Sequence, residues 1–114
     1  MDHCIFCRIL ERKTPAKIVY EDDSTFAIED INPQSPVHLL VIPRAHLVSL
    51  KDASPEQEGL LGHLISISAK LARDRGLEAG GYRVVINTGA QAGQSVFHLH
   101  LHVMGGRTFR WPPG

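Results

Sequence analysis

Gln94-Ser95-Val96-Phe97-His98-Leu99-His100-Leu101-His102-Val103-Met104 alternates histidine with aliphatic residues from His98 onward. A period of two is the pattern of a strand with one buried face. Leu99, Leu101 and Val103 are expected to enter a core, and the three histidines to share the opposite face. Residues two apart in a strand lie roughly 6.5 Å apart, so three imidazoles would line one surface. Imidazole serves as nucleophile, proton donor or metal ligand near neutral pH. The plain alternative is a polar outer face that happens to be histidine.

The rest of the chain bounds the chemistry. Its 114 residues make one domain, 1–114, large enough for a real core. Apolar residues at 43% and charged residues at 21% suit a water-soluble globular protein. Twelve basic side chains balance twelve acidic ones, which leaves no basic surplus for binding nucleic acid. Met1-Asp2-His3-Cys4 opens no apolar run of signal length, and no later stretch could span a bilayer, so a cytoplasmic protein with no membrane partner is expected. In that compartment Cys4 and Cys7 point to metal or redox chemistry before a structural disulfide.

Cys4 to Arg12 reads as a short amphipathic helix with Ile5, Phe6, Ile9 and Leu10 on its apolar stripe, capped by Asp2 and ended by Pro15. Lys17 to Glu21 and Thr25 to Glu29 are strand-like and joined by a turn at Asp22-Asp23-Ser24. Asp30 to Pro36 is a loop stiffened by Pro33 and Pro36. Val37 to Ile42 is a buried central strand interrupted by one histidine, His38. Ser54-Pro55-Glu56-Gln57 starts a long helix that stops at Gly76, with Leu60, Leu61, Leu64, Ile67, Ser68, Leu71 and Ala72 on its packing face. Tyr82 to Asn87 is a strand, and a loop holding Gly89 and Gly93 leads into the histidine stretch. One long helix, one short helix and a majority of strands give an α+β domain.

His98-Leu99-His100-Leu101-His102-Val103-Met104 resembles the histidine-triad signature. Asp30-Ile31-Asn32-Pro33-Gln34, Val41-Ile42-Pro43-Arg44, Asn87-Thr88-Gly89, Gly93-Gln94-Ser95 and the closing Trp111-Pro112-Pro113-Gly114 resemble the Hint branch of that superfamily. The resemblance runs from about Phe6 to the C-terminus. It implies a mainly antiparallel five-stranded sheet, continued across a homodimer, and a nucleotide-binding hydrolase. His100 would attack the α-phosphate of a purine nucleotide conjugate of AMP or GMP and carry the nucleotidyl group. His102 would donate to phosphate oxygens, Ser95 would serve the leaving group, and His38 would orient the nucleophile side. Asn87 and Gln94 are expected at the phosphate, Asp30 at the ribose hydroxyls, and Phe6, Ile9, Ile28, Ile31 and Leu40 around the base. Trp111 would reach the partner's site. Without the resemblance His38 reads equally as a hydrogen-bonded core histidine, and Asn87 as a turn residue.

Cys4-Ile5-Phe6-Cys7 has the spacing of half a zinc site. His46 and His98 are the two histidines chosen to complete it, the set that some relatives with an N-terminal CxxC resemble. Zinc with four protein ligands and no open position would be structural. A redox pair or two packed thiols are the competing readings; His3 is a poorer ligand, and His63 reads as a surface or packing residue. Nucleoside phosphoramidate hydrolysis is the expected activity. A nucleotide-binding regulatory module and a dinucleoside polyphosphate hydrolase are the alternatives.

Overall fold

A computed structural model describes residues 3–114. Its centre is a five-stranded antiparallel sheet in the order β1-β2-β3-β5-β4, formed by β1 (Ile18–Glu21), β2 (Thr25–Glu29), β3 (Val37–Pro43), β4 (Tyr82–Val85) and β5 (Leu101–Gly105). A short helix, α1 (Ile5–Leu10), and a long one, α2 (Glu58–Asp74), complete the fold, which is the expected α+β architecture. Among the described residues no helix is long and apolar enough to cross a membrane.

The apolar run of β3 from Leu39 to Pro43 follows from its place in the sheet. It pairs with β2 on one side and β5 on the other, and a helix covers each face. Leu39 and Val41 join Leu99, Leu101 and Val103 in a core with Leu64, Ile67, Leu71 and Ala72 of α2. Leu40 and Ile42 point the other way and meet Phe6 and Ile9 of α1, with Phe26 and Ile28. The buried residues of α2 are those expected from its periodicity, while Leu60 and Leu61 are only partly covered. Its start is held by Gln57, whose side-chain oxygen accepts from the Ser54 amide at 2.6 Å.

Three boundaries differ from the sequence reading. The histidine stretch becomes strand only at Leu101, because its partner β3 ends at Pro43, which has no amide to extend a ladder. His98 to His100 is instead tied to the segment after β3, where Leu99 N–H donates to the Leu47 carbonyl at 2.6 Å. Strand β4 stops at Val85, opposite His102, and not at Asn87. Helix α1 ends at Leu10, with Arg12 in the left-handed region at φ 61°. Its N-cap is Cys4, whose Sγ accepts from the Cys7 amide at 3.4 Å; Asp2, the expected cap, lies outside the described residues.

Candidate functional site

The triad histidines lie on the face of the sheet that α1 partly covers. His98 is fully buried and His100 nearly so, with the Phe6 ring edge-on to both. The alternation of the sequence therefore holds, but helix α1 separates the three rings into two sites.

His98 serves the first site. Its Nε2–H donates to the Pro43 carbonyl at 2.8 Å, which turns Nδ1 toward Cys4 Sγ at 3.3 Å and Cys7 Sγ at 3.7 Å. His46 Nδ1 lies 3.4 Å from Cys7 Sγ. One donor atom from each of Cys4, Cys7, His46 and His98 falls within 4.8 Å of the others. Two sulfurs and two imidazole nitrogens in such a group are the donor set of a closed tetrahedral zinc site, and the carbonyl bond on the far side of His98 is the usual outer support of a metal-bound imidazole. Burial and the neighbouring Cys4 thiol push the Cys7 thiol up to about 11, so it is protonated near pH 7 unless a cation takes the proton's place. The expected ligands are thus together. His3, the weaker candidate, lies at the edge of an adjoining hollow.

The second site is a cleft of about 630 Å³ between α1, the start of β1, the loop after β2 and the histidine stretch. Phe6, Ile9, Ile28 and Leu40 form its apolar wall, and Asp30, His38, Ser95, His100 and His102 its polar one. A volume of this order, mostly apolar with a few converging polar groups, suits a small-molecule ligand. Ile31 is completely exposed at the mouth. A second hollow, of about 510 Å³, adjoins the cleft through Ile5, Ser95 and Val96 and includes Phe97.

Hydrogen bonds fix where each proton sits. His100 Nδ1–H donates to the His98 carbonyl at 2.7 Å, which leaves the Nε2 lone pair as the ring's free function. The register sets Leu40 opposite His102 and His38 opposite Met104, so His38 and His102 meet on the diagonal. Their Nε2 and Nδ1 atoms are 2.9 Å apart. Burial lowers the pKa of His38, His98 and His100, and holds His102 down to about 4 with help from His100 and His38. The rings are therefore neutral near pH 7, the form in which imidazole is nucleophilic.

Two expected contact residues lie outside the cleft lining, and Trp111, expected at a partner's site, points outward. Gln94 is buried in its own loop: its side-chain oxygen accepts from Gly89 N–H at 2.8 Å, and its amide donates to the Val48 and Val96 carbonyls. No hydrogen-bonding group of Gln94 is aimed at a ligand; it braces the turn between Gly89 and Gly93, both at positive φ, that delivers Ser95. Asn87 sits half-buried at the head of that loop, outside the cleft lining. Trp111 is 84% exposed on the tail and touches neither hollow. One cluster was missed from sequence. His63 Nε2–H donates to Asp22 at 2.6 Å, as does the Tyr20 hydroxyl. Burial works to raise the Asp22 carboxyl, but these bonds hold it well below the usual carboxylate range, so it clamps the β1–β2 turn to α2.

Comparison with known proteins places this geometry. The HIT domain model matches residues 11–109. The chain belongs to the HIT domain family. An uncharacterised HIT-like protein of Synechocystis is 54% identical over 110 residues, 96% of each chain. A HIT family hydrolase from Legionella pneumophila superposes with a TM-score of 0.95 at 43% identity, covering 97% of this HIT chain and 99% of that one. A zinc-bound histidine triad family protein from Mycobacterium smegmatis matches at TM-score 0.78 and 37% identity, over 97% and 84% of the two chains. A histidine triad nucleotide-binding protein from Candida albicans matches at TM-score 0.81 and 29% identity, over 96% and 82%. The HIT fold expected from the triad signature is the fold observed.

Proposed function

We propose that this HIT protein hydrolyses nucleoside phosphoramidates, or related conjugates of a nucleoside monophosphate, through a nucleotidyl-His100 intermediate. The observation that carries the reading is the His100 Nδ1–H bond to the His98 carbonyl, which fixes the tautomer and reserves Nε2 for attack. In this scheme the base lies against Phe6, Ile9, Ile28 and Leu40, with Ile31 over the mouth, and Asp30 accepts the ribose hydroxyls. Asn87 stands at the loop head from which a phosphate contact would come.

The chemistry is two displacements at phosphorus. His100 Nε2 attacks the α-phosphorus and the P–N bond to the leaving group breaks. The amine departs with the bonding pair and takes a proton passed through Ser95 from solvent, toward the hollow beyond Ser95. His102, with its proton on Nε2, hydrogen-bonds the equatorial oxygens as charge builds there. Water then attacks the nucleotidyl-His100, the P–Nε2 pair returns to the ring, and water's second proton leaves to solvent.

A zinc ion on Cys4, Cys7, His46 and His98, its charge balanced by the two thiolates, would supply a cross-link between α1 and the histidine stretch, with no part in bond making. The quaternary reading is a cytoplasmic homodimer that continues the sheet across the β4 edge, where Tyr82 and Val84 are exposed, and that gives the outward Trp111 a partner surface. Steady-state assays on adenosine and guanosine phosphoramidates beside a dinucleoside polyphosphate test the substrate class. Faster turnover of the phosphoramidates is expected. Preference for the polyphosphate, or binding without turnover, would replace this reading with one of its two alternatives.

A further inference from the structure

The loop that precedes β3 holds His38 at Nδ1 and sets a carboxylate beside its Nε2. Gln34 main-chain N–H donates to Nδ1 at 3.0 Å. Asp30 approaches the other side: its Oδ2 is 3.3 Å from His38 Nε2, while its Oδ1 is held by Asn32 N–H at 2.9 Å. The main chains of the same two residues are joined, Asp30 N–H to the His38 carbonyl at 3.0 Å. The His38 side chain is 3% exposed and that of Asp30 18%, so solvent does little to loosen this arrangement.

The arrangement decides more than the position of one ring. Because Nδ1 accepts from Gln34, neutral His38 must carry its proton on Nε2. That proton is donated to His102 Nδ1 at 2.9 Å, and the Asp30 carboxylate, its Oδ2 3.3 Å from the same nitrogen, favours it there by charge. If His102 instead donated from Nδ1, His38 would need its proton on Nδ1, directly against the Gln34 amide. The chain from Gln34 through His38 therefore makes His102 an acceptor at Nδ1 and places its own proton on Nε2. The donor set of Asp30, His38 and His102 is close enough to suggest a cation site, but the only lone pair that His38 offers is already taken by Gln34. The cluster is a hydrogen-bond relay.

We propose that Asp30 is a positioning residue for the triad, acting through His38 on His102, in addition to its place at the ribose. This rests on the phosphoramidase reading for its substrate but not for its geometry. Asp30→Asn is the discriminating substitution. An amide that keeps the bond from Asn32 N–H turns its NH2 toward His38 Nε2–H, donor against donor, so the relay loses its fixed direction.

Two measurements on the full chain test it. The first is turnover of a 2′,3′-dideoxyadenosine phosphoramidate, which has no ribose hydroxyl for Asp30 to hold. Asp30→Asn is expected to lower kcat on this substrate about tenfold, the weight of one close and poorly solvated charge contact, with little change in KM, and to move the acid limb of the kcat profile. The second is long-range 1H–15N NMR of the histidine rings in the substrate-free protein, whose dispersed amide spectrum also reports folding. Wild type should show His38 and His102 protonated at Nε2, and the variant a mixed tautomer at His102. Ring signals and dideoxy kcat that match wild type in Asp30→Asn overturn the proposal. A wild-type protein that fails to cleave any phosphoramidate overturns the function reading instead, and the ring signals alone then decide the relay.

Discussion

The His98 carbonyl accepts the Nδ1 proton of His100 at 2.7 Å, while the imidazole of the same His98 faces Cys4 and Cys7. One residue thus joins the four-ligand cluster by its side chain and orients the next histidine by its backbone. Its ring is anchored again by Pro43 at 2.8 Å, so its main chain has little freedom to drift.

Metal content follows from this link. Protein purified without added metal should carry about one equivalent of zinc by elemental analysis, and Cys4→Ser with Cys7→Ser should carry less than roughly a tenth. The double variant should lose several degrees of thermal midpoint and lower kcat more than it raises KM, because the His98 ring keeps only its Pro43 anchor. Unchanged kcat in the metal-free variant would uncouple the cluster from the cleft.

Gln94→Ala should cost about 1–2 kcal/mol of stability, since it removes a buried side chain that pairs the Val48 carbonyl and Gly89 N–H of a partly exposed loop. Urea denaturation checks this. A cost below about 0.5 kcal/mol, the scale of a surface substitution, would show that the loop does not depend on it.

Stability should fall as pH drops below the ordinary histidine range. The folded pKa of His102 is held down to about 4 by burial and by the charges of His100 and His38, and that of His38 is lowered by burial. Their unfolded values are near 6.5. Between those limits the unfolded chain binds more protons than the folded one, so this contribution is full above about pH 6.5 and is lost as pH falls toward 4. Urea midpoints at pH 7.5 and pH 5 should differ in that direction, and His102→Asn should flatten the difference. An equal slope in the variant would assign the effect to other groups.

How far the site was legible in the sequence depends on which link each residue needed. Alternation placed Leu99, Leu101 and Val103 in the core, and the CxxC spacing found half of a ligand set that the fold brings together. The apolar run of β3 was enough to make it central. The diagonal meeting of His38 and His102 was not readable, because it depends on Leu40 pairing with His102, a register that neither strand states alone. The inward turn of the Gln94 side chain was unreadable for a similar reason, because a glutamine in a glycine loop does not reveal which way it points. Gln34 acts through its main-chain N–H, which nearly every residue type possesses, and Asp22 finds His63 only because α2 folds over the β1–β2 turn.

The dimer reading predicts a two-chain mass in sedimentation at micromolar concentration. Val84→Lys should shift it toward monomer by placing a charge on the β4 edge. Truncation after Gly106 removes Trp111 and should change substrate selectivity more than stability. A monomer mass for the wild-type protein would remove the partner from the site.

The central claim is attack by His100 Nε2, and its most direct test is to trap the product of that attack. Acid quench within the first turnover on an adenosine phosphoramidate, followed by mass spectrometry under conditions that preserve phosphoramidate bonds, should find one adenylyl group per chain on the peptide holding His100. His100→Ala should show no adduct and lose several orders of magnitude in turnover while keeping its fold. An adduct on another residue, or near wild-type hydrolysis by His100→Ala, would contradict the account.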